Sequence, residues 1–266
     1  MAIVTVKKGK QEYLAAQNIS VPHCFTTRFG GVSSGVFDSL NIALHRGDSE
    51  ENVEQNLRIL SIALGYDPSK YVLTRQTHSD IVRVVTDADC RGFFHRDYPE
   101  CDALVTNTPG VTLMVFTADC TPLLFHDPVT GAVGAAHAGW RGTAQNIGGK
   151  TVEAMVKHFG CDPGNIRAAI GPNLSQCHFE TDMDVPAAMV AAFGDQVLPL
   201  IRQKGEKYFP DLKAINALAL HRAGVRHIEV SDACTWCESH RYWSHRVTKG
   251  DRGSQGAVIT CKEGSA

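Results

Sequence analysis

The chain has 266 residues, 43% hydrophobic and 20% charged, with a formal net charge of -2. This is an ordinary globular mix, long enough to build a sizeable core. The near-neutral charge argues against a broad electrostatic grip on nucleic acid or an acidic membrane surface, and no apolar run reaches the length of a membrane span. The N-terminus lacks the charged-then-apolar pattern of a secretory signal, so the expected location is the cytoplasm. Nine cysteines at irregular spacings read as free thiols of a reducing compartment, several of them buried as small apolar residues.

In chain order, residues 1–20 read as strands or an edge ribbon, and a short strand from His23 runs into Gly30-Gly31. That glycine pair is read as a tight turn, or as a loop whose amides and Arg28 face an anion. Ser39-Leu40-Asn41 lies in a loop. Asp48 and Ser49 are N-caps, and Glu51 sits at the spacing of a capping box with Asp48. Val53, Leu57, Leu60 and Leu64 recur at helical spacing, and Gly65 closes the helix. A strand from Tyr71, the polar loop 74–80 with His78, and a strand over 81–85 follow. Residues 86–100, with Arg91, Gly92, Arg96 and Asp97, form an exposed loop. A strand spans 102–106.

Next come two apolar runs, 111–116 and 132–136, with turn chemistry at 127–131 between them. They are read as a central hairpin. Cys120 follows the first run and His137 the second. Thr143 then caps a helix whose apolar side is Ile147, Val152, Met155 and Val156, stopped by Gly160. A buried strand over 166–170, helices over 182–193 and 211–223, and a strand over 228–230 complete the regular elements. The tail carries Arg241, His245, Arg246 and Arg252. With no repeat or linker, residues 1–266 read as one domain. Hairpins mixed with crossovers give an α+β fold, a mixed β-sheet core flanked by helices.

His78, Cys120 and His137 each lie at or just beyond a strand end, where loop-borne chemistry gathers. Two imidazoles and a thiolate suit zinc, and three protein ligands with an open fourth position define a catalytic site. Their spacings, 42 and 17 residues, match no short zinc motif, so position carries the reading.

The motifs RFGGVSSG (28–35), SLN (39–41), RQTHSDIV (75–82), DALVTNTPGV (102–111), TADCTPLLFHD (117–127), AAHAGWRGT (135–143), AAIGPNLSQC (168–177), and CT (234–235) before WSHR (243–246) span nearly the whole chain in order. Together they resemble the bacterial YfiH/YlmD-like laccase-domain family, long called polyphenol oxidases and also named purine nucleoside phosphorylases. The resemblance implies a zinc site at His78, Cys120 and His137. It also implies phosphorolysis of adenosine, inosine, guanosine and methylthioadenosine, adenosine deamination, and a fold shared with bacterial toxin deamidases. The implied partners are a nucleoside and phosphate; no feature demands an oligomer.

For deamination, zinc would supply hydroxide to C6 of adenine near neutral pH, with Asp119 or Asp102 carrying a proton or holding a histidine ring. For phosphorolysis the site needs a cationic pocket. Arg28, Arg75, Arg141 and Arg246 are candidates, Arg141 and Arg28 first, and Asn41 joins Arg28, Arg141 and Arg246 in the expected substrate-binding set. Two stretches depart from the family pattern. Cys177-His178-Phe179-Glu180 stands where Cys-Tyr-Glu is frequent, and Gly250-Asp251-Arg252 replaces a frequent Thr-Gly-Arg, so no role is carried over to Arg252. Cys234-Thr235-Trp236-Cys237 is a single CxxC without a second pair and is read as incidental.

Three other readings compete. Copper could occupy the same ligands, but a multicopper oxidase would need His-x-His pairs, which the twelve histidines do not form. A metal-free Cys120–histidine hydrolase would suit editing of peptidoglycan precursors. A binding module would close the metal with a fourth ligand, Cys177 or His245.

Overall fold

The structure, a computed structural model, describes residues 3–44, 46–92 and 99–262. Arg96 and Asp97 lie outside the described residues. Fourteen strands and six α-helices are present among the described residues. Strands β1 (Ile3–Lys8), β2 (Gln11–Ala16) and β3 (His23–Thr26) lead to helix α1 (Glu50–Leu64). Then come β4 (Tyr71–Leu73), β5 (Val82–Val84), β6 (Ala103–Thr106), β7 (Thr112–Thr117), β8 (Thr121–His126) and β9 (Val133–Ala138). Helices α2 (Trp140–Ala144) and α3 (Ile147–Phe159) precede β10 (Arg167–Ile170) and α4 (Asp184–Phe193). The chain continues through β11 (Ile201–Lys204), β12 (Lys207–Pro210), α5 (Leu212–Arg222), β13 (His227–Val230), α6 (His245–Thr248) and β14 (Gln255–Thr260).

Two six-stranded mixed sheets form the centre, ordered β1-β2-β3-β14-β7-β4 and β13-β10-β8-β9-β6-β5. The second sheet is covered on both faces, and its side chains alternate between two cores as strand geometry requires. In β6, Leu104 joins the core shared with Leu113, Val115 and Ala257 of the first sheet, while Ala103 and Val105 turn to Val152 and Met155 of α3. In β8, Leu124 faces the first sheet, and Leu123 and Phe125 face the helical side. Double burial accounts for the apolar run read over 132–136, which falls in the fully buried β9. A third core gathers Leu174 and Phe179 with Met189 and Phe193 of α4 and Ile215 of α5.

The mixed α+β architecture agrees with the sequence reading, but the central hairpin does not. The paired strands are β8 and β9. The run at 112–117 is β7, which belongs to the other sheet and pairs with β14 and β4. Cys120 therefore sits where the chain crosses from one sheet to the other. Strand β14, at the heart of the first sheet, was not anticipated: its short QGAVIT stretch includes Gly256, where a Cβ would come within 2.3 Å of Ile42 Cδ1. At α1 the cap is Ser49, whose side chain accepts from the Asn52 amide. Asp48 instead accepts from Ser33 Oγ and Asn41 Nδ2, so the expected box with Glu51 does not form. Asn146, not Thr143, caps α3. No helix among the described residues is long and apolar enough to cross a membrane.

Leu124 is fully buried between the sheets and Ile62 of α1 is 82% exposed. Leu124→Ala is expected to cost about 2–5 kcal/mol and Ile62→Ala to stay within about 0.5 kcal/mol. Urea unfolding checks both, and an unmoved midpoint for Leu124→Ala would contradict this packing.

Candidate metal centre

Three separate segments deliver His78, Cys120 and His137 to one point, with their donor atoms all within 4.8 Å of one another. His78 Nε2 lies 3.8 Å from Cys120 Sγ. His137 stands in β9, a buried strand that fixes its backbone. The other two come from loops under tension. His78 itself has φ +61°, and Asp119, just before Cys120, has φ +87°. Side chains resist these left-handed conformations, which persist only where the surroundings hold them. Asp119 is held at three points: its carboxylate accepts from Thr235 Oγ1 at 2.6 Å and the Arg246 amide at 2.7 Å, and its carbonyl from the Leu174 amide at 2.9 Å.

The His78 loop is held by Asp102, a fully buried carboxylate in the turn before β6. One oxygen accepts from the His78 amide at 3.1 Å and from His137 Nδ1 at 2.7 Å. The other accepts from the amides of Thr77 and Ser79 and from Ser79 Oγ at 2.7 Å. One carboxylate thus shapes the loop carrying the first histidine and orients the ring of the second. With Nδ1 bound to Asp102, His137 presents Nε2 to the cluster, an arrangement that fixes the tautomer of a metal-binding histidine.

Electrostatics follow from this packing. Burial alone would push the Cys120 thiol up, but His137 and His78 pull it down to about 6. Burial would likewise discharge His137, yet the Cys120 sulfur and Asp102 raise it to about 9. Burial opposes ionisation of Asp102 as well, and the bonds from His137 and Ser79 outweigh it, leaving the carboxyl at about 2. Each of the two groups thus favours the charged form of the other. A metal would displace the shared proton, since its ligands must be deprotonated.

The donors fit a metal. Tetrahedral zinc, with bonds of about 2.3 Å to sulfur and 2.0–2.1 Å to nitrogen, spaces N and S donors about 3.6 Å apart. Gly139, in the turn between β9 and α2, makes the room: a Cβ there would sit 2.7 Å from His78 Cδ2 and 3.2 Å from Cys120 Sγ. Among the described residues no fourth Cys, His, Asp or Glu joins the cluster. Cys177 lies elsewhere, 3.7 Å from Cys234, and His245 lines the adjoining cavity.

That cavity, about 350 Å³, has the three candidate ligands in its wall. Its lining also includes the apolar Trp140, Phe179, Leu174 and Leu212 and the cationic Arg46, Arg246 and Arg252. Of the expected substrate residues, only Arg246 lines it. Arg28 packs its guanidinium 4.0 Å over the Trp243 ring and donates to the Asp38 carbonyl. Asn41 is fully buried and accepts from the Ser254 amide at 3.0 Å. Both brace the 243–254 segment that presents Arg246 and Arg252. Arg141 lies 4.2 Å over Trp140, and Arg75 pairs with Glu100 at the surface. Arg46 and Arg252 were not anticipated, because neither belongs to a motif that names a chemistry. A buried arginine in a tail rich in cations was the available signal.

Comparison with known proteins follows the same outline. The family described as multi-copper polyphenol oxidoreductase laccase matches residues 22–262. A Deinococcus radiodurans protein named purine nucleoside phosphorylase is 42% identical over 247 residues, covering 92% of this chain and 91% of that one. The crystal structure of YlmD from Geobacillus stearothermophilus superposes with a TM-score of 0.92 at 34% identity, covering 98% of this chain and all of that one. That of a Bacillus licheniformis YfiH protein gives 0.90 at 35% identity, covering 96% and 98%.

Because Asp102 orients His137 and shapes the His78 loop, Asp102→Asn is expected to weaken zinc binding about ten- to a hundredfold. Competition against a chromogenic chelator measures this; unchanged affinity in a folded variant would contradict the role.

Proposed function

The chain belongs to the family described as multi-copper polyphenol oxidoreductase laccase, and from that premise we propose that it is a zinc-dependent purine nucleoside phosphorylase that also deaminates adenosine. The observation that carries the reading is one cavity whose lining combines the candidate metal-ligand set with three arginines. The names of the relatives support the same substrates. Adenosine, inosine, guanosine and methylthioadenosine are the proposed nucleosides, turned over in the cytoplasm by residues 1–266 acting as one catalytic domain; a cavity lined from Arg46 through Ser254 supports that unity.

His78, Cys120 and His137 would hold the zinc, which when bound would supply Lewis acidity and lower the pKa of a bound water toward neutrality. Arg252 binds phosphate. Burial first, then the neighbouring Arg46 charge, lower its guanidinium to about 10, and its Nε has no hydrogen-bond partner among the described residues. A pocket holding cations under mutual repulsion favours a dianion. Trp140 and Phe179 enclose the purine. In phosphorolysis a phosphate oxygen bonds to C1′ as the C–N bond breaks, the electron pair leaves with the purine, and His245 delivers the proton that neutralises it. Burial, then the Arg252 charge, lower the His245 ring from its ordinary value, so the ring takes up a proton as the anionic phosphate binds before it can give one. In deamination the same histidine would carry the proton to departing ammonia. Arg28, Asn41 and Arg141 act on substrate through the groups they hold.

A metal-free hydrolase acting on peptidoglycan precursors is the second reading, favoured by the thiolate–imidazolium pair of Cys120 and His137. A copper oxidase draws support from the His₂Cys donor set, which also suits copper. Against it, the twelve histidines form none of the His-x-His pairs that a multicopper oxidase needs.

Purified protein is incubated with adenosine or inosine, with and without phosphate, and the products are separated. Phosphate-dependent release of adenine or hypoxanthine, together with inosine formed from adenosine, is expected, and all of it should disappear with the zinc of this centre in Cys120→Ala and His137→Ala. Phosphorolysis retained in Cys120→Ala without zinc at this centre would sink the zinc mechanism. Losing a charge-assisted hydrogen bond in Arg252→Ala should raise KM for phosphate about ten- to a hundredfold with a smaller change for the nucleoside. Equal changes in both would remove Arg252 from the phosphate site.

A further inference from the structure

A second cluster of ligand-type side chains lies beside the cavity. Cys177, His178, Cys234 and Cys237 place three sulfurs and one ring nitrogen all within 4.8 Å of one another. Cys177 Sγ is 3.7 Å from Cys234 Sγ and 3.8 Å from Cys237 Sγ. His178 Nδ1 is 3.2 Å from Cys177 Sγ and 3.4 Å from Cys237 Sγ. Tetrahedral zinc separates two thiolates by about 3.8 Å and a thiolate from an imidazole by about 3.6 Å. The four donors therefore already stand near the corners of such a site. We propose that Cys177, His178, Cys234 and Cys237 bind a second zinc ion as a closed structural centre.

The surroundings are built for this. The amides of Cys237, Ser175 and Trp236 face the Cys234 sulfur, so the chain curls around that atom and offers hydrogen bonds that stabilise a thiolate. The His178 ring stacks on Trp236 with centroids 5.0 Å apart and planes 13° from parallel, which aims Nδ1 at the sulfurs as an outer partner does for a metal ligand. Three thiolates and one zinc leave one net negative charge. Lys213, only 7% exposed, adds a nearby cation: its ammonium donates to Ser231 O, Ala233 O and Ser175 Oγ and feels the charges of Cys234, Asp211, Asp232 and Cys177.

The two strings of ligands come from different loops, 171–182 and 231–244. They already touch through an isolated bridge between Asn173 and Cys234 and the bond from the Thr235 amide to the Asn173 carbonyl at 2.9 Å. The first loop carries Leu174 and Phe179 into the cavity wall. The second carries Thr235, which holds Asp119 in its strained conformation. The ion pins the two loops and stiffens the wall beside the His78–Cys120–His137 centre. The single CxxC thus finds in space the partners it lacks in sequence.

A disulfide is the competing chemistry. It would need sulfurs at about 2.05 Å, would consume two thiols and would strand the third.

Full-length protein is loaded with zinc, freed of excess, and analysed for zinc per chain and for thiols without reduction. Two zinc equivalents per chain are expected. Cys120→Ala should keep one, and Cys237→Ser should lose one while keeping the other. Cobalt loaded into Cys120→Ala should show intense thiolate charge-transfer absorption, which Cys237→Ser/Cys120→Ala would lose. One zinc per wild-type chain, wholly lost in Cys120→Ala, would overturn the proposal, as would a disulfide joining Cys177 to Cys234 or Cys237 in the unreduced protein. The wild-type zinc count and the cobalt spectrum of Cys120→Ala decide the matter even where Cys237→Ser fails to fold.

Discussion

The buried carboxylate of Asp102 is the constraint on which the candidate metal centre depends. Each of its oxygens is committed: one to the His78 amide and His137 Nδ1, the other to the Thr77–Ser79 turn. A carboxylate out of water is stable only when so fully bonded. Its own demand for donors therefore dictates the shape of the loop and the tilt of the ring. The left-handed backbone of His78, which a free loop would avoid, is sustained by that demand. Structure and chemistry here share one cause, because the bonds that satisfy the charge also aim two imidazoles at one point.

The third ligand depends on a different feature, the passage of the chain from one sheet to the other. β7 ends in the first sheet and β8 begins in the second, and the strained Asp119-Cys120 turn joins them. Asp119 is tied to Thr235, Arg246 and Leu174, so the turn draws the C-terminal segment and the 171–182 loop toward the same spot. Gly139 keeps the space open from the opposite side. The arginine wall arises from the same convergence: Trp243 and Ser254, braced by Arg28 and Asn41, bound the segment that delivers Arg246 and Arg252.

The sequence was most legible where physics is local. The stripe Val53, Leu57 and Leu60, the Gly65 and Gly160 stops, and the buried runs of β9 and β10 follow from periodicity and caps. His78, Cys120 and His137, which the fold brings together, were singled out in the sequence by residue type and position near strand ends. Long-range pairing was not. Assigning 112–117 to the hairpin failed because an apolar run does not state which sheet it joins, and β14 was hidden by its brevity and its glycine. Arg28 and Asn41 sit in motifs, yet motif membership alone does not separate a residue that touches a ligand from one that holds a wall. The CxxC looked incidental because its partners, Cys177 and His178, lie 57 and 56 residues from Cys234 along the chain and meet it only in the fold.

The cavity lining combines Cys120 and Asp119 with three arginines, Arg46, Arg246 and Arg252, and the aromatic rings of Trp140, Phe116 and Phe179. Such a site orients a ligand that has a flat apolar part, a polar centre and an anion. The most direct test of this account is an anomalous-scattering map at the zinc edge from crystals grown with zinc. The account predicts a peak bonded to His78 Nε2, Cys120 Sγ and His137 Nε2, with its remaining position open to the cavity. A peak closed by a fourth protein side chain, or no peak among these three residues, would contradict it.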